Sequence, residues 1–163
     1  MKLIQEFDAT NIDIDIDKIY RFAHRDYKSQ FSSQSYFGIH ILEYWTQDFV
    51  RNGEDILQFY SANENDVENF LSFQLRILQL SQEDDYRIKD FREFLHGLHT
   101  KPISANLFMD KLKLQYSIIK QPYETIIDIE PKDCVMLIEE WNDIFGACKT
   151  VNGYFGFNWT TSA

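Results

Sequence analysis

The stretch Pro131-Lys132-Asp133-Cys134-Val135-Met136-Leu137-Ile138-Glu139-Glu140-Trp141-Asn142-Asp143-Ile144-Phe145-Gly146 decides how the rest of the chain is read. Proline suits the first helical position, where its missing N–H has no intrahelical partner to lose. Val135, Leu137, Ile138, Trp141, Ile144 and Phe145 then approximate a helical stripe, and Gly146 offers a stop. On either side the residue types change. Tyr123-Glu124-Thr125-Ile126-Ile127-Asp128-Ile129 and Tyr154-Phe155-Gly156-Phe157-Asn158-Trp159-Thr160 are rich in β-branched and aromatic residues, and Asn152-Gly153 is a turn signal. The C-terminal third is expected to run strand, helix, strand.

Moving toward the N-terminus, helical spacing dominates. Phe37, Ile41, Tyr44, Trp45 and Phe49 predict a helix over about 33–51 that stops at Gly53. Asn63 and Asp66 precede Val67, Phe70, Leu71, Leu75 and Leu78, a start signal followed by an i, i+3, i+4 pattern. Asp84-Asp85 opens a further helix through Ile88, Phe91, Phe94 and Leu95 to Gly97. Pro102 and Ser104 open another through Leu107, Phe108, Leu112 and Leu114. Nearer the start, Ile19, Phe22, Ala23 and Tyr27 have helical spacing behind an alternating 11–17 segment. The expected fold is a mainly helical α+β domain of about five to six helices with the small strand-helix-strand ending, or an all-α bundle if the two strands fail. No linker or repeat divides residues 1–163, so a single domain is expected.

Composition bounds the function. The chain carries 26 Asp and Glu against 16 Lys and Arg, a formal charge of -10, while 16% of its residues are aromatic. That much apolar and aromatic surface can offset chain entropy, so the acidity belongs to a folded surface and not to a disordered tail. No long apolar run supports a membrane span, and the expectation is a cytoplasmic protein. The net field repels phosphates, so nucleic acid is not expected as a direct partner. Cys134 and Cys148 are the only cysteines, and flanking one helix they would stand roughly 20 Å apart along its axis, too far for a disulfide.

Asp13, Asp15 and Asp17 have the one-three-five spacing of a calcium loop, but Lys18 stands where its glycine belongs and His24 where its bidentate glutamate belongs. Glu93 and His96 have the spacing that places a carboxylate and an imidazole on one helical face, and His40 with Glu43 gives the reverse order, with His99 nearby. These four residues, His40, Glu43, Glu93 and His96, define the alternative reading, a small helical metal-binding protein or enzyme. Neither a nucleophile elbow nor a glycine-rich phosphate loop is present, and no cofactor is expected.

Charge geography supplies the main reading. Between Arg51 and Arg76 lie Glu54, Asp55, Glu64, Asp66 and Glu68 without a Lys or Arg, and between Gln121 and Ala147 seven acids face only Lys132. Basic residues gather elsewhere, at Lys18, Arg21, Arg25 and Lys28 and between Arg87 and Lys120. If the two acidic stretches converge, they form a negative face suited to steering a cationic partner. In its acidic stretches and strand-helix-strand ending, the chain resembles in type the immunity proteins that bacteria make against their own toxin domains. That resemblance implies a non-catalytic protein that binds a cognate basic toxin, such as a nuclease, and occludes its active site. Asp55, Glu64, Asp66, Glu68, Asp128, Glu139, Glu140 and Asp143 would then pair with the toxin's cations, with Tyr60 and Trp159 as aromatic anchors. Whether such a binder is a monomer or a homodimer is left open.

Overall fold

The computed structural model describes residues 34–36, 38–44, 55–81, 94–95, 97–116 and 129–161. Seven strands are found there: β1 (Gln34–Tyr36), β2 (Ile39–Tyr44), β3 (Asp55–Asn63), β4 (Lys101–Pro102), β5 (Lys132–Glu140), β6 (Asp143–Lys149) and β7 (Gly153–Thr161). They form one antiparallel sheet in the order β1-β2-β3-β7-β6-β5-β4. Two helices lie among the described residues, α1 (Phe70–Leu80) between β3 and β4, and α2 (Ala105–Tyr116) between β4 and β5. The molecule is built on a sheet, and the expectation of a mainly helical domain or an all-α bundle is corrected.

The reason for the misreading lies in how the sheet is covered. Alternate residues of β3 enter two separate apolar layers, Tyr60 and Ala62 joining Phe73 and Ile77 of α1, while Leu57 and Phe59 join Phe108 and Leu112 of α2. One helix therefore packs on each face. A strand buried on both faces loses the apolar-polar alternation that marks a half-exposed strand and reads as a continuous apolar run, which periodicity cannot separate from a buried helix. Cys134-Val135-Met136-Leu137 and Phe145-Gly146-Ala147-Cys148 are such runs, each buried throughout. The expected helix behind Pro131 is a β5–β6 hairpin, so the strand-helix-strand ending becomes a β5-β6-β7 meander. Register shifts within β5, between Lys132 and Val135 and again between Met136 and Ile138, scramble its period further.

Two glycines on neighbouring central strands seat the helices. A Cβ at Gly156 would stand 2.7 Å from Ile77 Cδ1 of α1, and one at Gly146 would stand 3.0 Å from Phe108 Cε2 of α2. Glycine in a strand interior commonly marks such a close approach. Aromatic contacts complete the layers: Tyr60 stacks on Phe145 at 5.8 Å, Phe73 on Tyr154 at 5.3 Å, and Phe108 meets Phe157 edge-on at 5.4 Å.

The expected 33–51 helix is also a correction. Ile39 and Ile41 alternate into the α1 layer while Tyr44 enters the other, which is strand geometry. The β1–β2 turn closes through Gly38 at φ 82°, and a Cβ there would come within 2.7 Å of the Asp66 carbonyl oxygen. Both the dihedral and the space call for glycine. Helices do form at two of the expected places. α1 is capped by Asn69, whose side chain accepts from the Ser72 N–H at 2.8 Å, and not by Asn63 or Asp66. α2 is capped by Ser104, whose Oγ accepts from the Leu107 N–H at 3.1 Å. The 11–17 segment, the helix expected through Tyr27, most of that behind Asp84-Asp85, and the body of the 123–129 strand lie outside the described residues.

The antiparallel registers define two ends of the sheet. Asp55, Thr161, Asp143 and Glu140 share one end, and Asn63, Gly153, Lys149 and Lys132 share the other. Eight residues of rise along β3 separate them by about 27 Å.

Candidate functional site

The two acidic stretches do not meet on one face. Glu64, Asp66 and Glu68 follow β3 at the Asn63 end, whereas Glu139, Glu140 and Asp143 frame the β5–β6 turn at the Asp55 end. A single converged anionic face is therefore replaced by two separate acidic ends. Asp128 lies outside the described residues.

At the Asn63 end the loop is organised from below by Arg76, which is buried in α1. Its guanidinium donates to Glu68 Oε2 and, at 3.4 Å, to the Asp66 carbonyl oxygen. Ser72 Oγ donates to the same Glu68 oxygen at 2.6 Å. Burial pushes the Glu68 carboxyl up, but the hydrogen bonds from Ser72 and its own backbone, together with Arg76, outweigh it and hold the group below its ordinary value. Glu64 is fixed through its backbone N–H, which donates to the Asn152 carbonyl at 3.0 Å. The carboxylates of Glu64 and Asp66 remain exposed there.

The Asp55 end is different. Asp55 itself is 0% exposed and accepts a hydrogen bond from Trp159 Nε1 at 3.1 Å, tying β3 to β7. Trp159 is 7% exposed, and Tyr60 lies wholly inside, stacked on Phe145. These three residues are core, and their assignment to a partner surface is corrected: each ring fills an apolar layer between sheet and helix. Glu139 is also engaged, since Lys101 of β4 and Lys111 of α2 pair with its two oxygens at 2.5 and 2.8 Å. Hydrogen bonds from Lys101 and then Lys111 hold its carboxyl below the usual range.

What projects from this end is the turn between Glu140 and Asp143. Trp141 is 74% exposed, the most exposed large apolar side chain among the described residues. The Asn142 carbonyl accepts from the Thr161 N–H at 3.1 Å, so the turn is pinned to β7. Asn158 Nδ2 donates to Asp143 Oδ1 at 2.7 Å and to the Ile144 carbonyl at 3.2 Å, fixing the far side. Burial pushes the Asp143 carboxyl up to about 6; the Asn158 hydrogen bond opposes this and the neighbouring Glu140 charge adds to it. Among the described residues neither Glu140 nor Asp143 forms an ion pair with a Lys or Arg. The result is an exposed indole between two unneutralised carboxyls on a hydrogen-bonded turn.

Sequence reasoning missed Trp141 because it assigned the ring to the inner stripe of a helix. The usable signal was Glu139-Glu140-Trp141-Asn142-Asp143 itself, a polar cluster with turn-forming Asn-Asp between two apolar runs.

The alternative metal reading loses its geometry where it can be followed. His40 lies on β2 and is exposed, and in a strand a three-residue spacing such as that from His40 to Glu43 does not place two residues on one face. Glu93 and His96 lie outside the described residues, and His99 is exposed. Among the described residues no group of three or more His, Cys, Asp or Glu is placed to hold a metal ion, and no helix is long and apolar enough to cross a membrane. Comparison with known proteins finds no matching family model, no matching curated protein and no matching solved structure.

Proposed function

We propose that this chain is a non-catalytic binding protein that receives a cationic protein at the β5–β6 tip, and that its partner is a basic toxin domain whose active surface it covers. The observation that carries the reading is the exposure of Trp141 between Glu140 and Asp143. A large ring held on a rigid turn loses little entropy on binding, and a ring surrounded by charge matches the apolar centre and polar rim of protein interfaces. The formal charge of -10 adds long-range attraction for a basic partner and raises its association rate. The resemblance to immunity proteins supports a toxin as that partner, now engaged at one end of the sheet and not across two converged stretches.

Calorimetric titration against the basic proteins encoded beside this chain's own gene tests the reading. Trp141→Ala combined with Glu140→Lys is expected to weaken binding at least tenfold, about 1.4 kcal/mol or more. Glu64→Lys combined with Asp66→Lys, at the far end, is expected to leave it within about threefold. The reverse pattern, or no binding by any basic neighbour, removes the proposal.

A further inference from the structure

Cys134 on β5 and Cys148 on β6 are both enclosed in the apolar layer under α2. The sequence expectation held them roughly 20 Å apart along a helix; in the sheet they belong to adjacent strands. A bulge brings them together. Lys132 pairs with Lys149, but Val135 pairs with Ala147, so β5 takes up one extra residue between these points. Continuing the first register would set Cys134 opposite Ala147, on the α1 side. Extending the Val135–Ala147 register back by one residue sets it opposite Cys148, and both cysteines belong to the apolar cluster on the α2 side. Asp133 accommodates the bulge with a φ of 50°, a left-handed conformation that aspartate tolerates better than most residues. Its carboxylate lies 3.9 Å from Lys149 Nζ.

Directly opposed residues in an antiparallel pair have Cα atoms about 4.5–5.5 Å apart, within the span a disulfide bridges. The two sulfurs are near enough for a side-chain hydrogen bond with Cys148 to be the chief influence on Cys134. That bond lowers the Cys134 pKa against the opposing effects of burial and of Asp133, while burial pushes Cys148 well up. The pair is unequal, the Cys134 thiol being the more readily ionised of the two.

We propose that Cys134 and Cys148 are a reversible oxidation site that closes to an intramolecular cross-strand disulfide when the chain meets a hydroperoxide. The Cys134 thiolate attacks one peroxide oxygen, the O–O bond breaks, and a sulfenic acid forms while the departing hydroxide takes up the proton Cys134 gave away. The Cys148 sulfur then attacks the Cys134 sulfur, the S–O bond breaks, and water leaves with the Cys148 proton. With hydrogen peroxide, two thiols and one peroxide become one disulfide and two waters, the two electrons passing from sulfur to oxygen. A small oxidant is required because both sulfurs are enclosed. The proposal is independent of what binds at Trp141.

The test exposes the folded, full-length chain to hydrogen peroxide, then unfolds it in an alkylating reagent and maps the products by mass. Both thiols are expected to disappear together, with loss of the mass of two hydrogen atoms, a 134–148 linked peptide in the monomer, and full recovery with dithiothreitol. Asp133→Gly, which keeps the left-handed bulge, is expected to close the same bond. Deletion of Asp133, in a preparation whose circular dichroism matches the parent, is expected to slow closure at least tenfold. Thiols that stay alkylatable, bonds formed only between chains, or a folded deletion variant that closes as fast as the parent would each overturn the assignment. If the deletion variant does not fold, the result on the parent chain decides alone.

Discussion

At the Asn63 end of the sheet an acidic loop is held from inside by Arg76, which takes both a side chain and a main-chain oxygen. At the Asp55 end the engaged acids, Asp55, Glu139 and the part-buried Asp143, sit behind a turn that leaves Glu140 and Trp141 projecting. Both ends are negative, yet only one couples its charge to an exposed ring. The difference shows that acidity alone does not make a binding surface; what surrounds each carboxylate does. Each end holds both kinds: Glu68 at one and Asp55 and Glu139 at the other hold the fold, and only their hydrogen-bond partners tell them from their exposed neighbours.

Substitutions at the two ends should therefore differ in kind. The largest effect is expected at the Asn63 end from Gly153→Ala, because the new Cβ would fall 2.0 Å from the Ala62 carbonyl oxygen in a backbone pairing that cannot easily move. A loss of about 3 kcal/mol in denaturant unfolding is expected. Arg76→Met keeps much of the buried stem but removes the ties to Glu68 and Asp66, and a loss of about 2 kcal/mol by the same measurement would sharpen the contrast. An unchanged midpoint would break it.

At the Asp55 end the signs change. Asp143 has a folded pKa of about 6, above its ordinary 3.8, so the folded state binds the proton more tightly than the unfolded chain does. Stability is thereby expected to fall as pH rises from about 4 to about 6, and the deficit persists above that window. Asp143→Asn retains an oxygen to accept from Asn158 and should gain about 1–2 kcal/mol at pH 8, the shift being discounted for partial exposure, while flattening this pH dependence. Equal stability of parent and variant across pH 4–8 would sink the assignment. The smallest change is expected from Trp141→Ala, within about 0.5 kcal/mol of the parent in unfolding, because the ring covers little of the core. A large loss there would mean that the ring holds the fold and is not reserved for a partner.

Legibility in the sequence followed exposure. α2 was legible from its Ser104 cap and from polar Asn106, Asp110 and Lys113 on its open side, but of the expected stripe only Phe108 and Leu112 are buried, while Leu107 and Leu114 are exposed. β7 was visible through its aromatic residues and the Asn152-Gly153 turn. β5 and β6 were not, because helices on both faces abolish alternation and bulges shift what remains, so the same residues satisfied a helical template. That one error propagated into the site. It turned Trp141 inward, placed Cys134 and Cys148 far apart, and left Trp159 and Tyr60 as surface anchors when they are core. The acidic stretches were read correctly as composition, but only the registers reveal that they lie at opposite ends.

The strand order has a consequence for how the chain reaches this state. β7, last of the seven along the chain, is inserted between β3 and β6, and its Trp159 bonds to Asp55 across 104 residues. The middle of the sheet cannot close until that late segment arrives. Until then β3 and β6 each present an unpaired edge beside aromatic residues, open to pairing with another chain. Assembly dominated by so distant a pairing is slow for a protein of this size. Conditions that suppress pairing between chains while β7 is still to be captured, such as dilution during refolding, should favour recovery of the native chain over aggregates.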